Sequence, residues 1–458
     1  MKSEVLLIDT ISPLRAEKGL ICPLPAMAQM TGILEREGIP FDIVFAIPQD
    51  DGSIDTIDGS DIITNNFESL LLEIAPRVVL FYHDPELIHY VTPVYKKTRT
   101  ALPKAALCLS SSLARVRPVY FQEQGIDYVC GSSGQDVLDS FPQLAREVIA
   151  GQAPPRGKIY SAPRNYLDLN DYPLISQRYF NKITPQWCFP NGDVVKFGII
   201  FGSIGCTGAC GHCPNSAYWG TSWIPMSAER IFKEMQAQRE HFGLKTFYFG
   251  DLNFFPNNPV IQDTNGVHPY AAERMRRLDE LLAAYAPDVR FISTVRPDTL
   301  SILARHYPDL LERYLRYYHS CFLGFESYSP KVLAGLDRRI TREMLQLAIK
   351  VLEDRNITIV ASFLVGSIWE TPETLAQTEA FIMEELPSSA IPLLNIMTPF
   401  PGTKFYDYIE QHNLLLEHDL IRFNGQHMLY RHPAFQPGEL EERIQHFYYK
   451  FFTERYTG

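Results

Sequence analysis

The chain alternates short apolar segments rich in β-branched residues with helix-like segments, and this alternation limits the folds available to it. In the first 150 residues, strands are predicted at residues 5–9, 41–47, 78–82, 105–109 and 127–130. The helical pattern after the first strand ends at Gly38, since glycine favours the end of a helix. Five β/α units predict a doubly wound, Rossmann-like parallel sheet, which binds ligands at the carboxyl ends of its strands.

The alternation stops near residue 151 and resumes near residue 197. A segment rich in Pro, Gly and Asn predicts a linker over 153–195. Further strands are predicted at residues 197–203, 245–251, 290–295, 321–326, 358–366 and 391–399. One of the intervening helices opens on Thr341 as its N-cap. Six β/α units predict a partial (β/α)6 barrel of the TIM type over 196–405, with its working face at the carboxyl ends of the strands. A helical, aromatic tail is predicted over 406–458.

Composition excludes several classes of protein. Of the residues, 46% are hydrophobic and 21% are charged, which is typical of a globular protein with sizeable cores. The net charge of -11 argues against nucleic-acid binding, because nucleic-acid binders present a basic face. No segment approaches the run of about 20 apolar residues that a membrane-spanning helix needs. Eight cysteines are too few for a disulfide scaffold, and the start lacks a signal-peptide pattern, so we expect a cytoplasmic location.

Three cysteines, Cys206, Cys210 and Cys213, lie in the segment GSIGCTGACGHCPNS with the spacing C-x-x-x-C-x-x-C. The segment follows the first predicted barrel strand, and its glycines let the backbone approach a compact inorganic centre. Two centres fit this spacing. Structural zinc would take four ligands, with His212 as the fourth. An iron–sulfur cluster would use the three thiolates and leave one iron open to a substrate, and the spacing favours this second interpretation.

With this spacing, on the loop after the first strand of a predicted (β/α)6 barrel, the chain resembles the radical S-adenosylmethionine (radical SAM) superfamily. The resemblance implies that the three cysteines hold a [4Fe–4S] cluster whose open iron chelates the amino and carboxylate groups of SAM. An electron from the cluster then cleaves SAM to give a 5′-deoxyadenosyl radical. His212 departs from the family pattern, in which the residue before the last cysteine is usually aromatic.

Later segments also resemble the superfamily, in its order, from about residue 195 to residue 450. They are TFYFGDLNFF, FISTVRPDTL, GFESYSPKVLAGLDRRITREM, FLVGSIWETPETL and NIMTPFPGTKFYD. The resemblance implies Glu326 and Arg296 as candidate catalytic residues at the mouth of the barrel. The contacts to SAM that it implies are Gly250, Asp251, Ser293, Glu326, Gly366, Thr398 and Pro399.

The N-terminal domain, residues 1–152, resembles the cobalamin-binding domain of one subgroup of this superfamily. The segments AALCLSSSLARVRP and GIDYVCGSSGQDVLDSFPQLAREVIAGQ carry the resemblance. The implied cobalamin contacts are Ser110, Ser111, Ser112, Gly131 and Ser132, which include small residues beside which a nucleotide tail can slide. The motif D-x-H-x-x-G is missing, so no histidine is offered as the lower ligand of cobalt. A vestigial scaffold without cobalamin is the alternative.

The resemblance as a whole implies an enzyme with three cofactors: a [4Fe–4S] cluster, SAM and cobalamin. We expect it to methylate an unactivated carbon of a small-molecule or natural-product substrate, with a reductase such as flavodoxin or ferredoxin as its partner. A radical SAM enzyme that catalyses cyclisation, oxidation or rearrangement, with or without cobalamin, is the first alternative. An iron–sulfur electron carrier or a zinc-stabilised binding protein is the second.

Overall fold

The structure is a computed structural model, and it describes residues 2–13, 16, 25–59, 61–83, 87–130, 134–161, 168–188, 193–219, 221–256 and 266–456. The chain forms two compact units. The first consists of Met1–Ile204 and Pro225–Gly250, and the second of Gly205–Ile224 and Asp251–Gly458. The domain boundaries expected after residues 152, 195 and 405 stay a prediction.

All the strands expected from the sequence overlap observed strands. Within the described residues the strands, numbered in chain order, are β1 (Val5–Thr10), β2 (Phe41–Pro48), β3 (Ile54–Asp58), β4 (Asp61–Ile63), β5 (Val78–Tyr82), β6 (Ala106–Ser110), β7 (Tyr128–Cys130), β8 (Lys158–Tyr160), β9 (Gln186–Cys188), β10 (Val194–Ile200), β11 (Ser203–Gly205), β12 (Trp223–Pro225), β13 (Thr246–Phe249), β14 (Arg290–Val295), β15 (Tyr318–Glu326), β16 (Thr358–Val365) and β17 (Ile391–Ile396).

Helices follow most of these strands along the chain. Within the described residues the α-helices are Pro25–Arg36, Phe67–Ile74, Ile88–Ala101, Ser112–Val116, Pro118–Glu123, Gly134–Ile149, Gln177–Lys182, Pro214–Trp219, Ala228–Phe242, Pro269–Tyr285, Pro297–His306, Pro308–Leu315, Pro330–Gly335, Arg342–Glu353, Pro372–Glu384, Lys404–Gln411 and Glu439–Tyr456. None of these described helices combines the length and the apolar character that crossing a membrane requires.

Two helix ends match the local signals in the sequence. The side chain of Thr341 accepts a hydrogen bond from the backbone N–H of Met344 at 3.3 Å, which confirms it as an N-cap. Gly38, two residues after the helix Pro25–Arg36, has a φ of +66°, the left-handed conformation that glycine adopts without strain. Both ends are therefore fixed by residues that the sequence pattern identifies.

The first unit contains an eight-stranded sheet in the order β4-β3-β2-β1-β5-β6-β7-β8. β1 pairs in parallel with β2 and β5, and parallel pairing continues from β5 through β6 and β7 to β8. All six residues of β1 are buried, as in a central strand with both faces covered. Because the strand order reverses between β1 and β5, the sheet is doubly wound, as predicted, and folds of this kind bind ligands at the carboxyl ends of their strands.

A β-meander at one edge of this sheet is absent from our sequence prediction. β3 pairs antiparallel with β2, and β4 pairs antiparallel with β3. Two Asp-Gly pairs mark its turns, and Gly52 and Gly59 have φ values of +83° and +69°. Such pairs are a strong hairpin signal, so the sequence did contain the information needed to predict the meander.

A buried polar network holds three segments of the first unit together. Arg230 and Glu234, one turn apart on a helix, form an ion pair of 3.0 Å, and Glu234 also accepts a hydrogen bond from the N–H of Ile175 at 3.3 Å. Gln238 accepts from the N–H of Ile199 at 3.0 Å and donates to its carbonyl at 2.8 Å. The predicted linker is therefore anchored to this helix, and it carries β8, β9 and a short helix of its own.

The second unit contains the four parallel strands β14, β15, β16 and β17, which pair in that order. The pairing of β15 with β16 is interrupted by a bulge between Gly324 and Glu326. Bulges redirect side chains and are frequent beside active sites. This bulge lies at the carboxyl end of β15, which is the end where barrel folds place their working residues.

The C-terminal part of the second unit departs from the predicted helical tail. Between the helices Lys404–Gln411 and Glu439–Tyr456, the helical structure consists of the 3-10 turn Leu420–Arg422. This stretch contains two prolines and lacks a periodicity of 3.6 residues, so it cannot form a continuous helix. Tyr430 from this stretch is fully buried in a hydrophobic cluster. The tail is therefore two helices joined by a packed loop.

Candidate active site

The three predicted cysteine ligands lie together on the loop after β11, in the second unit. The backbone N–H of Gly208 donates a hydrogen bond to Sγ of Cys206 at 3.3 Å. A Cβ atom at residue 208 would lie 3.3 Å from Cys206 Sγ and 3.8 Å from Cys210 Sγ. Glycine at this position therefore keeps open the space between two thiols, as a loop that wraps an inorganic centre requires.

Cys213, the third thiol, lies where the loop enters a short helix. The hydroxyl of Ser216 donates to the carbonyls of Cys210 and Cys213, both at 2.9 Å. Desolvation raises the pKa of the Cys213 thiol to about 11. A thiol in this environment ionises only beside a positive centre, and a bound metal supplies one.

His212, the fourth ligand in the zinc interpretation, is buried. Its Nδ1 atom has no hydrogen-bond partner among the described residues. In the part of the chain that the structure describes, no group of three or more His, Cys, Asp or Glu side chains gathers as the ligands of one metal ion do. In a cluster of several irons, by contrast, each thiolate binds a different iron.

Arg338 connects the cysteine loop with the end of β15. Its Nη1 donates to Sγ of Cys210 at 3.4 Å, and its Nη2 donates to the carbonyl of Gly324 at 2.9 Å. The same Nη2 lies 3.3 Å from Oε1 of Glu326, and the two side chains are 6% and 12% exposed. Burial alone would lower the pKa of Arg338, but the carboxylate of Glu326 raises it above its ordinary value. A buried pair of opposite charges therefore stands beside Cys210.

Glu326, a predicted catalytic residue and SAM contact, has an unusual backbone conformation. Its φ is +60°, in the left-handed region, and it is the last residue of β15, at the bulge. Such a conformation costs on the order of 1–3 kcal/mol and persists where the surrounding structure enforces it, often at functional sites. Here it brings the carboxylate to Arg338 and so to the cysteine loop.

Arg296, the other predicted catalytic residue, follows β14. Its Nε and Nη2 donate to the two carboxylate oxygens of Asp298, at 3.0 Å and 2.8 Å. Its Nη1 lies 3.1 Å from the position that a Cβ atom would take at Gly208. Burial alone would lower the pKa of Arg296, but Asp298 raises it well above its ordinary value. A second charged guanidinium, held by a bidentate pair, therefore borders the cysteine loop.

Asn253 also reaches a thiol of the loop. Its Nδ2 lies 3.9 Å from Sγ of Cys206, and its side chain is buried. Its backbone carbonyl accepts a hydrogen bond from Nε1 of Trp223 at 3.1 Å. The ring of Trp223 packs against Arg274, whose Cζ lies 4.9 Å from the ring centroid. Asn253 is therefore held next to Cys206 through its own backbone.

Arg338 and Asn253 are site residues that sequence reasoning missed. Both lie in segments that carry the family resemblance, at positions to which we assigned no role. Arg338 is 12 residues beyond Glu326 in the chain, and the two side chains meet at 3.3 Å beside the bulge at the end of β15. The sequence therefore predicted the segments that form the site but not these contacts.

Two of the predicted SAM contacts have polar groups that already bond within the protein. Ser293 is fully buried and shares a hydrogen bond of 2.7 Å with the hydroxyl of Tyr318. Oγ1 of Thr398 accepts a hydrogen bond from the N–H of Gly425 at 3.1 Å, and Pro399 beside it is buried. The assignment of these residues as SAM contacts stays a prediction.

The two glycines predicted to contact SAM lie against side chains. A Cβ atom at Gly366, whose φ is +81°, would approach Cδ1 of Leu440 to 2.4 Å. In the first unit, a Cβ atom at Gly250 would approach Cγ of Pro25 to 2.0 Å. Asp251 is buried. Packing against Pro25 therefore favours glycine at residue 250, and the left-handed φ favours it at residue 366. The expected SAM contacts of all three residues stay predictions.

The predicted cobalamin contacts in the first unit lie at the carboxyl end of β6. Ser110 ends this strand, Ser111 follows it, and Ser112 begins a short helix. The hydroxyl of Ser111 is buried and has no hydrogen-bond partner among the described residues. Gly131 and Ser132 lie outside the described residues. An orphaned buried hydroxyl at this edge of a doubly wound sheet fits a polar ligand there.

Residues 200–382 match the family model of the radical SAM superfamily. This segment includes the cysteine loop, Arg296, Glu326 and Arg338. The chain contains a radical SAM domain. A [4Fe–4S] cluster and SAM are the cofactors that this domain implies, and the three thiols with the space beside Gly208 fit the cluster.

A curated relative, an uncharacterised methyltransferase from Pyrococcus horikoshii, is 26% identical to the chain over 226 residues. The aligned part covers 49% of this chain and 44% of the relative. The chain therefore spans less than half the length of the relative that it matches.

Two solved structures resemble this chain over nearly its whole length. One is the radical SAM methyltransferase TsrM from Kitasatospora setae, solved with cobalamin and a [4Fe–4S] cluster bound. Its TM-score is 0.66 at 16% identity, and the alignment covers 98% of this chain and 89% of TsrM. The other is the cobalamin-dependent SAM radical enzyme OxsB, solved with aqua-cobalamin and SAM bound: its TM-score is 0.63 at 14% identity, with coverages of 97% and 66%. At these identities the likeness shows the fold. The predicted fold class, a doubly wound N-terminal sheet followed by a partial barrel, is confirmed.

Proposed function

We propose that this chain is a cobalamin-dependent radical SAM enzyme that methylates an unactivated carbon of a small-molecule or natural-product substrate. The observation that carries the proposal is the loop of three cysteines with the Arg338–Glu326 pair beside it: Nη1 of Arg338 lies 3.4 Å from Sγ of Cys210. When bound, the cluster and SAM supply hydrogen abstraction from carbon, and cobalamin supplies the methyl group.

The thiolates of Cys206, Cys210 and Cys213 bind the cluster, and the loop that carries them contains no fourth cysteine. The cysteine spacing has three members only, and the other cysteines that the structure describes are Cys108, Cys130, Cys188 and Cys321. Cys108, Cys130 and Cys321 are buried, as small hydrophobic residues are. One iron is then open to the methionine part of SAM.

The Arg338–Glu326 pair matches the charges of that methionine part. SAM carries an α-carboxylate and an α-ammonium on one carbon, and a guanidinium beside a carboxylate can receive both. Arg338 already spans from Cys210 to Glu326, so a ligand bound there lies against the cysteine loop. Arg296, fixed by Asp298, adds a second positive charge at the same loop. These residues orient the ligand and neutralise its charge.

In the first unit, Ser111 supports the cobalamin part of the proposal. Its buried hydroxyl can donate to an oxygen of a nucleotide tail that enters the sheet at the end of β6. The likeness in fold to TsrM and OxsB, both solved with cobalamin bound, supports the same assignment.

The test measures the products formed by the anaerobically reconstituted protein when it is supplied with cobalamin, a reductant and SAM bearing a trideuterated methyl group. Each methylation consumes two SAM molecules, one released as 5′-deoxyadenosine and methionine and one as S-adenosylhomocysteine. It also consumes two electrons, which a flavodoxin or ferredoxin would deliver in the cell. The reaction is supplied with a small-molecule extract from the producing organism as the source of substrate. Mass spectrometry should then detect a product that has gained the deuterated methyl group.

The other outcomes separate the alternatives. Formation of 5′-deoxyadenosine without any labelled product would favour cyclisation, oxidation or rearrangement. A protein that contains a four-iron cluster but never cleaves SAM would be an electron carrier, and one that binds zinc in place of iron would be a binding protein. The first result would overturn methylation and retain a radical SAM enzyme, and either of the last two would overturn the proposal as a whole.

A further inference from the structure

We propose that Arg338 and Asn253 are positioning residues that set the reduction potential of the cluster held by Cys206, Cys210 and Cys213. Each donates to the sulfur of a different cysteine from outside the ligand set. The inference rests on the proposed function, because it presupposes the cluster.

Arg338 places a positive charge and a hydrogen-bond donor on Cys210. Its Nη1 lies 3.4 Å from the sulfur, while Nη2 is held by the carbonyl of Gly324 at 2.9 Å. Nε of Arg338 is buried without a hydrogen-bond partner among the described residues. Hydrogen bonds therefore hold the two terminal nitrogens of the guanidinium, Nη1 at the sulfur of Cys210 and Nη2 at the carbonyl of Gly324.

Asn253 acts on Cys206 from a different part of the chain. Its Nδ2 lies 3.9 Å from the sulfur, and the backbone N–H of Gly208 donates to the same sulfur at 3.3 Å. The hydrogen bond from Nε1 of Trp223 to the carbonyl of Asn253 holds the backbone in place. Cys206 therefore receives two neutral donors, whereas Cys210 receives a charged one.

The direction of the effect follows from electrostatics. Reduction adds one negative charge to the cluster and its thiolates, and donors and positive charges near the sulfurs stabilise that charge. Arg338 and Asn253 thus raise the reduction potential, which makes the cluster easier to reduce and a weaker donor to SAM. Glu326, 3.3 Å from Arg338, works in the opposite direction.

The charged donor has the larger effect. A hydrogen bond from an ionised donor is roughly twice as strong as one between neutral groups, and the site of Arg338 is buried, where charge is weakly screened. A guanidinium is not deprotonated in proteins, so the charge of Arg338 is present throughout the working pH range.

The test is an EPR-monitored redox titration of the full chain with its reconstituted cluster, in the absence of SAM. Arg338→Gln should shift the midpoint potential to more negative values, and Arg338→Lys, which keeps the charge but not the planar fork, should shift it less. Asn253→Leu should give a smaller negative shift, and Glu326→Gln should give a positive one. Arg342→Gln is the matched control: it removes the same charge four residues away, where the side chain packs on Tyr328.

Iron content is measured on every variant before titration, so that loss of the cluster is not mistaken for a shift. If Arg338→Gln fails to hold the cluster, Arg338→Lys and Asn253→Leu decide the question. Unchanged potentials in variants with a full cluster would overturn this inference and leave the proposed function intact. Absence of a four-iron cluster from the wild-type protein would overturn the proposed function instead.

Discussion

Asp298 accepts two hydrogen bonds from Arg296, one from Nε at 3.0 Å and one from Nη2 at 2.8 Å. Both side chains are largely buried, with 16% and 10% of their surfaces exposed. Removing one partner of a buried pair leaves an uncompensated charge, so we expect Asp298→Ala to lower the free energy of unfolding by about 3 kcal/mol. Urea unfolding of the protein without cofactors measures this loss.

The double variant Arg296→Met, Asp298→Ala should recover most of that stability, because it buries no unpaired charge. A double variant as unstable as Asp298→Ala would contradict this account of the pair. The double variant should still lose activity if Arg296 acts on SAM or substrate, which separates its role in folding from its role in function.

Replacing any one of Cys206, Cys210 and Cys213 by Ala should abolish the cluster and SAM cleavage together. The loop offers only three thiolates, and the cluster needs all of them. Iron and sulfide analysis and EPR of the reduced protein measure the first loss, and formation of 5′-deoxyadenosine measures the second. Cys108→Ser and Cys130→Ser, in buried strands of the first unit, should leave the iron content unchanged. A triple Cys→Ala variant that retained its iron would show that these cysteines are not the ligands of the cluster.

Glu370 gives the protein a pH dependence of known sign. Its Oε2 accepts a hydrogen bond from the N–H of Gly366, its Oε1 is buried without a hydrogen-bond partner among the described residues, and burial raises its pKa from 4.5 to about 7. The folded protein therefore holds a proton that the unfolded chain has lost, so stability falls as pH rises from about 4.5 to about 7.

Glu370→Gln removes this titration and keeps the acceptor for Gly366. The variant should gain stability relative to the wild type over that range, by up to about 3 kcal/mol at pH 8, since each pKa unit is worth about 1.4 kcal/mol. Thermal unfolding at pH 5 and pH 8 measures the difference. The control Glu373→Gln, an exposed residue on the next helix, should show no such divergence between pH 5 and pH 8. Parallel curves for wild type and Glu370→Gln would contradict the prediction.

The strands and the cysteine loop could be predicted because their signals are local. Runs of β-branched residues, turn residues and a fixed cysteine spacing lie within a few positions of one another, and each predicted strand overlaps an observed one. The C-terminal tail shows the limit of this approach. The sequence predicts it as helical throughout, but between its two helices the chain forms a loop in which Tyr430 is buried by tertiary packing.

The details of the site depend on geometry that no local pattern encodes. Glu326 contacts Arg338 from a position where the chain bulges after Gly324 and where its own φ is positive. The direction of Ser293 could not be predicted either. Parallel strands with both faces covered lose the alternation of polar and apolar residues that would distinguish its face from that of Thr294. The structure buries Ser293 against Tyr318 and leaves Thr294 half-buried.

Cobalamin binding is the remaining prediction, and its spectroscopic signature follows from the sequence. Because the motif D-x-H-x-x-G is missing, the chain offers no motif histidine as the lower ligand of cobalt. The EPR spectrum of the Co(II) form should therefore show no superhyperfine splitting from a protein nitrogen. Splitting of that kind would require a histidine from elsewhere in the chain.

Ser111→Trp tests where cobalamin binds. The hydroxyl of Ser111 is buried at the end of β6, so an indole there should fill the slot for the nucleotide tail and abolish cobalamin binding. Ser111 belongs to the first unit and the cysteines to the second, so the cluster and uncoupled SAM cleavage should persist. Ser69→Trp, at an exposed helical position of the same unit, should retain cobalamin. Ultraviolet–visible spectra of the purified proteins measure bound corrin, and a Ser111→Trp protein that still carries it would exclude this slot as the binding site.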